Sequence, residues 1–381
     1  MFHVLTHVFR FLVGGLFIFS GLIKANDPAG FAIKLNEYFT VFGTEFMKPA
    51  SLSLAVLICM VEVVLGAALL LGYRARQTVL LLMAMNVFFA FLTGWSAIFN
   101  VVTDCGCFGD AIPLTPWQSF TKNLILIALI GWLIPFHHYI QPMGGSPRAA
   151  FGGTLLSGGL TFGFAFYCAY FLPVMDFRPY KVGNDIYALS RMPADAPRDE
   201  YETMLVYEHK ETGKEKEFTM EAYSQQNIGE KSDTWKWKDT RNKLVRKGYK
   251  PPIHDFSIID AKGKDYTQSF FAQKGMRMMI VQPKLEETDA KAQKKVQQLV
   301  HEVLLPNGIR VWALTATPPD EQEAYVKAQN LHYPLFNTDA TALKTMIRAN
   351  PGLILLKNNT IKAKWPGTNL PDSAEVVAHL P

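Results

Sequence analysis

Two cysteines separated by one glycine are the residues of this chain whose types and spacing point most directly to chemistry. Cys105 and Cys107 lie in the segment Asp104-Cys105-Gly106-Cys107-Phe108-Gly109-Asp110 and make up half of the four cysteines in the sequence. A disulfide across so short a spacing closes a small, strained ring, and strain raises the reduction potential of a disulfide. The pair is therefore a candidate thiol-disulfide centre. The alternative is a static clip, or two reduced thiols in a glycine-rich turn.

Charged groups around this turn act in opposite directions on a thiolate. Thr115, followed by Pro116, is the predicted N-cap of a helix. The amino end of that helix lies a few residues beyond Cys107. The positive end of that helix, together with Lys122, favours a thiolate, whereas Asp104 and Asp110 oppose it. The sequence leaves the sign of the net effect open.

A metal site at the two sulfurs is disfavoured. Structural zinc takes four ligands, and no histidine lies in the same turn as Cys105 and Cys107. We therefore expect no metal.

Composition divides the chain into a membrane half and a soluble half. The 381 residues are 49% hydrophobic and 13% aromatic, but residues 1–175 hold nearly all the long apolar runs, and residues 176–381 carry most of the charged side chains. The net charge of +5 is spread without a block of lysines and arginines. We therefore expect membrane lipid as a partner and no nucleic acid.

Five apolar segments are long enough to cross a bilayer, whose hydrocarbon core needs about 20 residues per helix. They cover roughly residues 8–24, 50–72, 77–99, 117–136 and 152–174. The first segment is not followed by a small-residue cleavage site, so we interpret it as a retained membrane anchor rather than a signal peptide.

The distribution of basic residues in the short loops predicts the orientation. The turn Tyr73-Arg74-Ala75-Arg76 is basic without an acid and is expected in the cytoplasm, as are Arg10 and the loop 137–151. The cysteine turn and residues 176–381 then share the opposite face. Because disulfides persist in oxidising compartments, we expect a multi-pass protein of a bacterial inner membrane with its carboxy-terminal domain in the periplasm, facing a periplasmic or envelope protein partner.

Glu62 is the second candidate functional residue. It lies in the middle of the second span, where an ionisable group is costly and by default faces the bundle interior or a wet cavity. A structural buried hydrogen bond is the alternative. Asn86 in the third span is a further candidate of the same kind, whereas Cys59 and Cys168 lie in apolar surroundings and are expected to be packing residues.

The loop 25–49 is predicted to contain a helix that starts at Asp27 and Pro28, with apolar residues at helical spacing from Phe31 to Phe39. Such a helix either lies on the membrane interface or packs as a lid over the bundle.

The soluble half begins with a β-rich connector, in which the segments 203–208 and 216–219 are predicted to form a hairpin. Strands and helices then alternate, which favours an α/β sandwich with a mixed sheet. The predicted strands are 256–260, 276–282, 309–315, 353–357 and 360–364, and the predicted helices are 288–304, 319–330 and 371–380.

The membrane half resembles the DoxX/MauE group of redox-associated membrane proteins, and the whole arrangement is similar to a DoxX-family architecture of Bacteroidetes. The likeness covers residues 1–140 and rests on the cysteine turn, on Gly21-Leu22-Ile23-Lys24 at the end of the first span, and on Glu62. It implies a role in disulfide handling during maturation of envelope proteins, with Cys105 and Cys107 as the site. It also implies a quinone as a candidate electron acceptor, although no cofactor is certain.

The carboxy-terminal part resembles the thioredoxin and peroxiredoxin superfamily from residue 251 onward. The resemblance implies that Pro351 is the cis-proline of that fold. It also places a Cys-x-x-Cys motif after the strand 276–282, where this chain instead reads Gln282-Pro283-Lys284-Leu285-Glu286-Glu287. No cysteine follows Cys168, so this domain cannot itself exchange disulfides.

The expected fold is thus an α-helical membrane bundle followed by two soluble parts. The bundle comprises a four-helix DoxX-like domain and a fifth span, and a β-rich connector precedes the thioredoxin-like α/β domain; the boundaries are 1–140, 141–175, 176–250 and 251–381. One hypothesis is a membrane thiol-disulfide oxidoreductase. The other is a non-catalytic assembly or binding subunit of an envelope complex, which uses the cysteine-free domain for protein interaction.

Overall fold

The structure is a computed structural model that describes residues 1–102, 106–246 and 248–379. Asp104 and Cys105, both predicted site residues, lie outside the described residues. The chain divides into two compact units, of which the first combines residues 1–185 with 255–381 and the second is 186–254. The domain boundaries expected from the sequence remain predictions.

Within residues 1–102 and 106–185, six α-helices form the membrane part of the first unit. They are α1 (Phe2–Asn26), α2 (Pro28–Val41), α3 (Ser51–Leu71), α4 (Ala75–Phe99), α5 (Pro116–Phe136) and α6 (Pro147–Tyr170). Within the described residues, five helices are long and apolar enough to cross a membrane, and they coincide with the five predicted spans. A short 3₁₀ segment, Glu45–Ala50, leads into α3.

The ends of these helices follow local capping chemistry. Asp27 accepts a hydrogen bond from the backbone N–H of Gly30 and begins α2, as predicted. Thr115 and Gln118 form a reciprocal capping box at the start of α5, with Pro116 at its first position. At the other end of the bundle, Arg10 is buried and donates to the carbonyl oxygens of Leu69 and Leu70 at the end of α3.

Helix α2 packs against the bundle. Ala32, Leu35 and Tyr38 on one face are buried against a cluster that includes Ala55 of α3. The sequence left open whether this helix lies on the membrane interface or packs as a lid over the bundle. The packing of these side chains agrees with a lid.

Small residues allow α1 and α3 to approach closely. A methyl group at Gly66 would lie 2.7 Å from the carbonyl oxygen of Gly14, and one at Gly21 would lie 3.0 Å from the carbonyl oxygen of Cys59. Apolar helices in lipid associate through close packing rather than through a hydrophobic driving force, so such glycines are what permits the contact.

We expect Gly66→Ala to destabilise the bundle by about 1–3 kcal/mol, because the added methyl group meets backbone atoms that cannot move aside. Gly15→Ala is the matched control, since a methyl group there meets nothing within 4 Å. Denaturation of the purified protein in detergent, followed by circular dichroism, measures both. Equal stability of the two variants would contradict the close contact.

The second unit contains a three-stranded antiparallel sheet. Its elements are α7 (Ile186–Ser190), β1 (Glu200–His209), β2 (Glu215–Thr219), α8 (Met220–Gln225) and β3 (Trp235–Arg246). The predicted hairpin is confirmed: β1 pairs with β2 in a register that places Met204 opposite Thr219. Strand β3 was not predicted, and it pairs along the other edge of β1.

The remaining elements form the α/β domain. They are α9 (Thr267–Ala272), β4 (Met276–Gln282), α10 (Ala290–Leu299), β5 (Arg310–Thr315), α11 (Pro319–Gln329), β6 (Leu335–Asn337), α12 (Ala340–Met346), β7 (Gly352–Lys357), β8 (Thr360–Pro366) and α13 (Ser373–Ala378). A π-helical turn, Val300–Leu304, extends α10. Helices 288–304, 319–330 and 371–380 were predicted, whereas α9, β6 and α12 were not.

The five strands of this domain are ordered β6-β5-β4-β7-β8. Strands β4, β5 and β6 run parallel, and β7 and β8 run antiparallel to their neighbours. A central β-α-β unit followed by an antiparallel hairpin and a last helix is the thioredoxin topology, so the expected fold class is confirmed. The peptide bond between Asn350 and Pro351, directly before β7, is cis.

One predicted strand was wrong. Residues 256–260 form no ladder, and Ile259 makes only isolated bridges to Asp265 and Asn337. The backbone groups of this segment bond to separate partners rather than to one strand. Ile259 exchanges two backbone hydrogen bonds with Asn337, while Thr267 accepts from the N–H of Ile258 and Thr338 donates to the carbonyl of Ser257.

Candidate functional site

A buried ion pair between Lys24 and Glu62 joins α1 to α3. The ammonium group of Lys24 donates to Oε1 of Glu62, and the two side chains are only 4% and 1% exposed. The ring of Phe89 lies 5.2 Å from the same ammonium group. Because an isolated charge in a bilayer is costly, each of these residues requires the other. Gly21, one turn before Lys24, provides the close approach of the helices at this point.

The ion pair is connected to the cysteine turn through Ser20. Nζ of Lys24 also donates to Oγ of Ser20 over 3.0 Å, and that hydroxyl donates to the carbonyl oxygen of Cys107 over 3.0 Å. A chain of hydrogen bonds therefore runs from Glu62 in α3 to the backbone of the turn.

A cavity of about 410 Å³ opens beside the ion pair. Its wall is mostly apolar, with aromatic side chains of α2 and α4, and its polar lining residues include Ser20, Lys24, Glu62, Asn86, Cys107 and Lys122. Oε2 of Glu62 is buried and has no hydrogen-bond partner among the residues that the structure describes. An apolar cavity with a few converging polar groups is typical of a small-molecule site.

The described part of the turn is packed against three helices. Gly106 has φ of +63°, which favours glycine, and a methyl group there would lie 3.1 Å from Cγ of Lys34 in α2. Phe108 contacts Phe19 of α1 at a ring separation of 5.6 Å. Nζ of Lys122 in α5 lies 4.8 Å from the centre of the Phe108 ring. The turn is therefore held at the mouth of the bundle.

The predicted site residues fall into three places. Cys107, Glu62 and Lys122 line the same cavity. Asp110 lies at the surface of the turn and accepts a hydrogen bond from Arg348 of the thioredoxin-like domain over 3.2 Å. Pro351 lines a separate cleft, next to the end of α6.

The other polar or thiol residues of the spans have structural surroundings. Asn86 donates to the carbonyl of Asn123 over 2.8 Å and so ties α4 to α5, although it also lines the cavity. Cys59 and Cys168 are buried, in keeping with packing roles. Across the parts of the chain that are described, no three His, Cys, Asp or Glu side chains are grouped in a way that could hold a metal ion.

Where redox cysteines would be expected in the thioredoxin-like domain, the structure has a polar network. Gln282 donates to Gln293 over 2.8 Å, and Gln293 donates to the hydroxyl of Tyr333. Burial raises the pKa of Tyr333 to about 12. Asn350, beside the cis-proline, donates to the carbonyl of Lys284 over 2.7 Å. These bonds tie the motif position to the loop that precedes Pro351.

A second cluster of charged side chains holds the segment that follows α6 against the thioredoxin-like domain. Lys364 of β8 donates to Asp176 over 2.7 Å, and Arg178 pairs with the same carboxylate. Burial lowers the pKa of Lys364 to about 8, and the nearby Arg178 acts in the same direction. Burial acts to raise the pKa of Asp176, but Arg178 and Lys364 outweigh it, so that pKa is lowered.

Three residues of the site were missed from the sequence: Ser20, Lys24 and Arg348. In the sequence, Lys24 was identified only as the end of the first span and was given no role in the site, but it is buried inside the bundle. A signal for it existed, because an intramembrane acid such as Glu62 usually pairs with an intramembrane base. For Arg348, which is 321 positions away from Asp27, no such signal exists.

These observations define a class: a multi-pass membrane protein that carries a thioredoxin-like domain. Residues 2–136 match the family described as "Methylamine utilisation protein MauE". Residues 201–247 match a second family, described as "Domain of unknown function (DUF8463)". Residues 2–136 are thus similar to the MauE family, and the carboxy-terminal domain of the same chain has the thioredoxin strand order.

One curated relative and two solved structures are similar to parts of this chain. Protein TlpB of Flavobacterium psychrophilum is 30% identical over 137 residues, which cover 34% of this chain and 36% of TlpB. This chain thus spans about a third of the length of that relative.

A candidate protein disulfide isomerase from Bacteroides thetaiotaomicron is 17% identical with a TM-score of 0.28, covering 32% of this chain and 82% of that one. A peroxiredoxin-like protein from Aquifex aeolicus is 13% identical with a TM-score of 0.25, covering 32% and 79%. Because both scores are low, the assignment of the thioredoxin fold rests on the strand order.

We expect Glu62→Leu to destabilise the protein by about 3–5 kcal/mol, because it leaves Lys24 buried without its counter-charge. The double variant Lys24→Met/Glu62→Leu removes both charges and should recover most of that loss. Glu37→Leu is the control, since its pair with Lys34 is partly exposed and is worth less than about 1 kcal/mol.

Denaturation in detergent measures the stability of the wild type, of the single variants Glu62→Leu and Lys24→Met, of the double variant and of the Glu37→Leu control. If the double variant lost as much stability as the two single variants together, the buried pair would not be the reason that the two charges are retained.

Proposed function

We propose that the protein is a membrane thiol-disulfide redox component that acts through Cys105 and Cys107. The observation that carries this proposal is the position of Cys107, which lines a membrane cavity together with a buried Lys24–Glu62 pair and whose carbonyl oxygen is held by Ser20. A static clip needs neither an ionisable pair nor a cavity beside it. The name of TlpB and the MauE match are consistent with such a role.

The proposed reaction is a thiol-disulfide exchange with an envelope protein. A thiolate of the pair attacks one sulfur of the partner disulfide, so that the partner's sulfur–sulfur bond breaks and a mixed disulfide forms. The second cysteine of the pair then attacks this bond. The products are a Cys105–Cys107 disulfide and a partner dithiol, with two electrons and two protons transferred to the partner. The reverse sequence transfers them to this protein.

The groups around the cavity have defined roles in this proposal. Lys122 lines the cavity together with Cys107, and a positive charge there favours the attacking thiolate. Ser20 fixes the backbone of the turn, so that the cysteine keeps its place at the cavity wall. The aromatic wall excludes water from the site.

The residues of the cavity fit a quinone, which the resemblance to the membrane family implies. Lys24 is a donor for a carbonyl oxygen, Oε2 of Glu62 is an acceptor not engaged by any described residue, and the walls are apolar and aromatic. A quinone bound there would supply a two-electron, two-proton acceptor for the cysteine pair.

We further propose that the protein resides in a bacterial inner membrane with the cysteine turn on the periplasmic side. Support comes from the shared location of the turn and the thioredoxin-like domain at one end of the bundle, where Thr368 donates to the carbonyl of Tyr170. The basic turn 73–76 lies at the other end, between α3 and α4. The proposal includes a role in the maturation of envelope proteins, which the resemblance to the DoxX/MauE group implies.

The second candidate function is a non-catalytic assembly subunit. It is favoured by the thioredoxin-like domain, in which the motif position is occupied by hydrogen bonds rather than by cysteines. In that case Cys105 and Cys107 would form a permanent clip.

A redox titration distinguishes these two functions. The purified protein is equilibrated in glutathione buffers and alkylated, and mass spectrometry reads the state of each cysteine. We expect Cys105 and Cys107 to convert reversibly between dithiol and disulfide, because a strained and accessible bond is labile. Buried Cys59 and Cys168 serve as internal controls whose state should not depend on the buffer.

Variants with a single cysteine complete this test. Cys105→Ser or Cys107→Ser should trap a mixed disulfide with a peptide that carries a disulfide, because the remaining thiolate displaces one peptide thiolate and no second cysteine resolves the product. The variant lacking both cysteines should trap none. A pair that stayed oxidised, or stayed reduced, at every glutathione ratio would rule out the redox function and leave the assembly function.

A further inference from the structure

Arg348 of the thioredoxin-like domain reaches the membrane domain at the cysteine turn. Its Nε atom donates to both carboxylate oxygens of Asp27, over 2.9 and 3.1 Å, and its Nη2 atom donates to Asp110 over 3.2 Å. Its Nη1 atom donates to the carbonyl of Lys344 in its own domain. One guanidinium group therefore links three parts of the chain: the start of α2, the cysteine turn and α12.

This contact is a built site rather than a chance surface pair. The side chain of Arg348 is only 9% exposed and that of Asp27 is 16% exposed, whereas that of Asp110 is 40% exposed, so the buried pair with Asp27 is what fixes the guanidinium beside Asp110. A planar guanidinium that binds one carboxylate with two hydrogen bonds and a second carboxylate with a third is fixed in orientation.

Gly30 leaves the space for this arrangement. A methyl group at Gly30 would lie 2.7 Å from Nη2 of Arg348 and 2.5 Å from a carboxylate oxygen of Asp27. Helix α2 therefore accommodates the guanidinium at its first turn, which packs beside the cysteine turn.

The charge of Arg348 bears on the cysteines because Asp110 follows Cys107 closely. Backbone hydrogen bonds from Gly109 to Gly106 and from Ala111 to Phe108 fold residues 106–111 into two consecutive turns, which keep Asp110 near Cys107. A carboxylate close to a thiolate disfavours it, and a cation that neutralises the carboxylate removes that effect.

We propose that Arg348 is a positioning residue for the cysteine pair: the cysteine-free domain supplies the cation that holds Asp110 and offsets its charge at the reactive turn. This inference rests on the proposed redox function. It gives the thioredoxin-like domain a role that needs no cysteine of its own, since the domain completes the site of the membrane domain.

The test uses the full-length protein in glutathione buffers, with the ratio of [GSH]² to [GSSG] at half-reduction as the readout. Without Arg348 the reduced, thiolate-bearing form is less stable, so Arg348→Ala should require a ratio roughly threefold to tenfold larger than the wild type does. The reduced pair should also be alkylated more slowly at neutral pH. Arg310→Ala, at an exposed position of β5, is the matched control and should not shift the ratio.

Two further variants separate charge from structure. Arg348→Lys keeps the cation but loses the two-pronged geometry, so it should restore most of the wild-type ratio if charge is what matters. Asp110→Asn in the otherwise unchanged protein removes the opposing charge and should shift the ratio in the opposite direction. This second variant keeps the inference testable even where Arg348→Ala fails to fold.

The outcomes distinguish the two proposals. If the wild-type pair does not titrate at all, the proposed redox function is wrong. If the wild type titrates reversibly but Arg348→Ala and Asp110→Asn both have the wild-type ratio, the redox function stands and the role of Arg348 is overturned. A shift in Arg348→Ala that Arg348→Lys does not reverse would show a purely structural contact and would also overturn it.

Discussion

The buried ion pair between Lys24 and Glu62 is the interaction on which the membrane site depends. Neither charge is tolerable alone at that depth, so the pair fixes α1 against α3, and Gly21 provides the necessary approach. Through Ser20 the same lysine reaches the backbone of Cys107. The position of the thiol at the cavity wall is thus a consequence of how two charges are neutralised inside the bundle.

Polar contacts connect the thioredoxin-like domain to the membrane domain. Arg348 contacts the turn, Thr368 contacts the end of α6, and Lys364 holds the segment that follows α6 through Asp176. The domain keeps the strand order and the cis-proline of its fold. At the position where that fold usually has its cysteine pair, this chain has polar side chains that bond to one another. Its polar side chains are therefore used to contact the membrane domain and to order its own loops.

Local patterns predicted the elements well, because each element is determined by nearby residues. Five spans followed from the length of apolar runs, the start of α5 from Thr115 and its capping partners, and β4 from the alternation of strand and helix patterns. The prediction of a strand at 256–260 was wrong because the backbone groups of this segment bond to separate partners, among them Asn337, Thr267 and Thr338, rather than to one neighbouring strand. The site was predicted only in part: Glu62 was found from its depth, whereas Arg348 joins residues hundreds of positions apart, and no local pattern encodes that contact.

The most direct test of the account is the redox state of Cys105 and Cys107 in growing cells. Acid quenching followed by alkylation with a mass tag counts the reduced thiols, before and after a brief pulse of a membrane-permeant reductant. We expect the pair to become reduced during the pulse and to return to its starting state once the reductant is removed, while Cys59 and Cys168 do not change. A pair that stayed in one state throughout would contradict it.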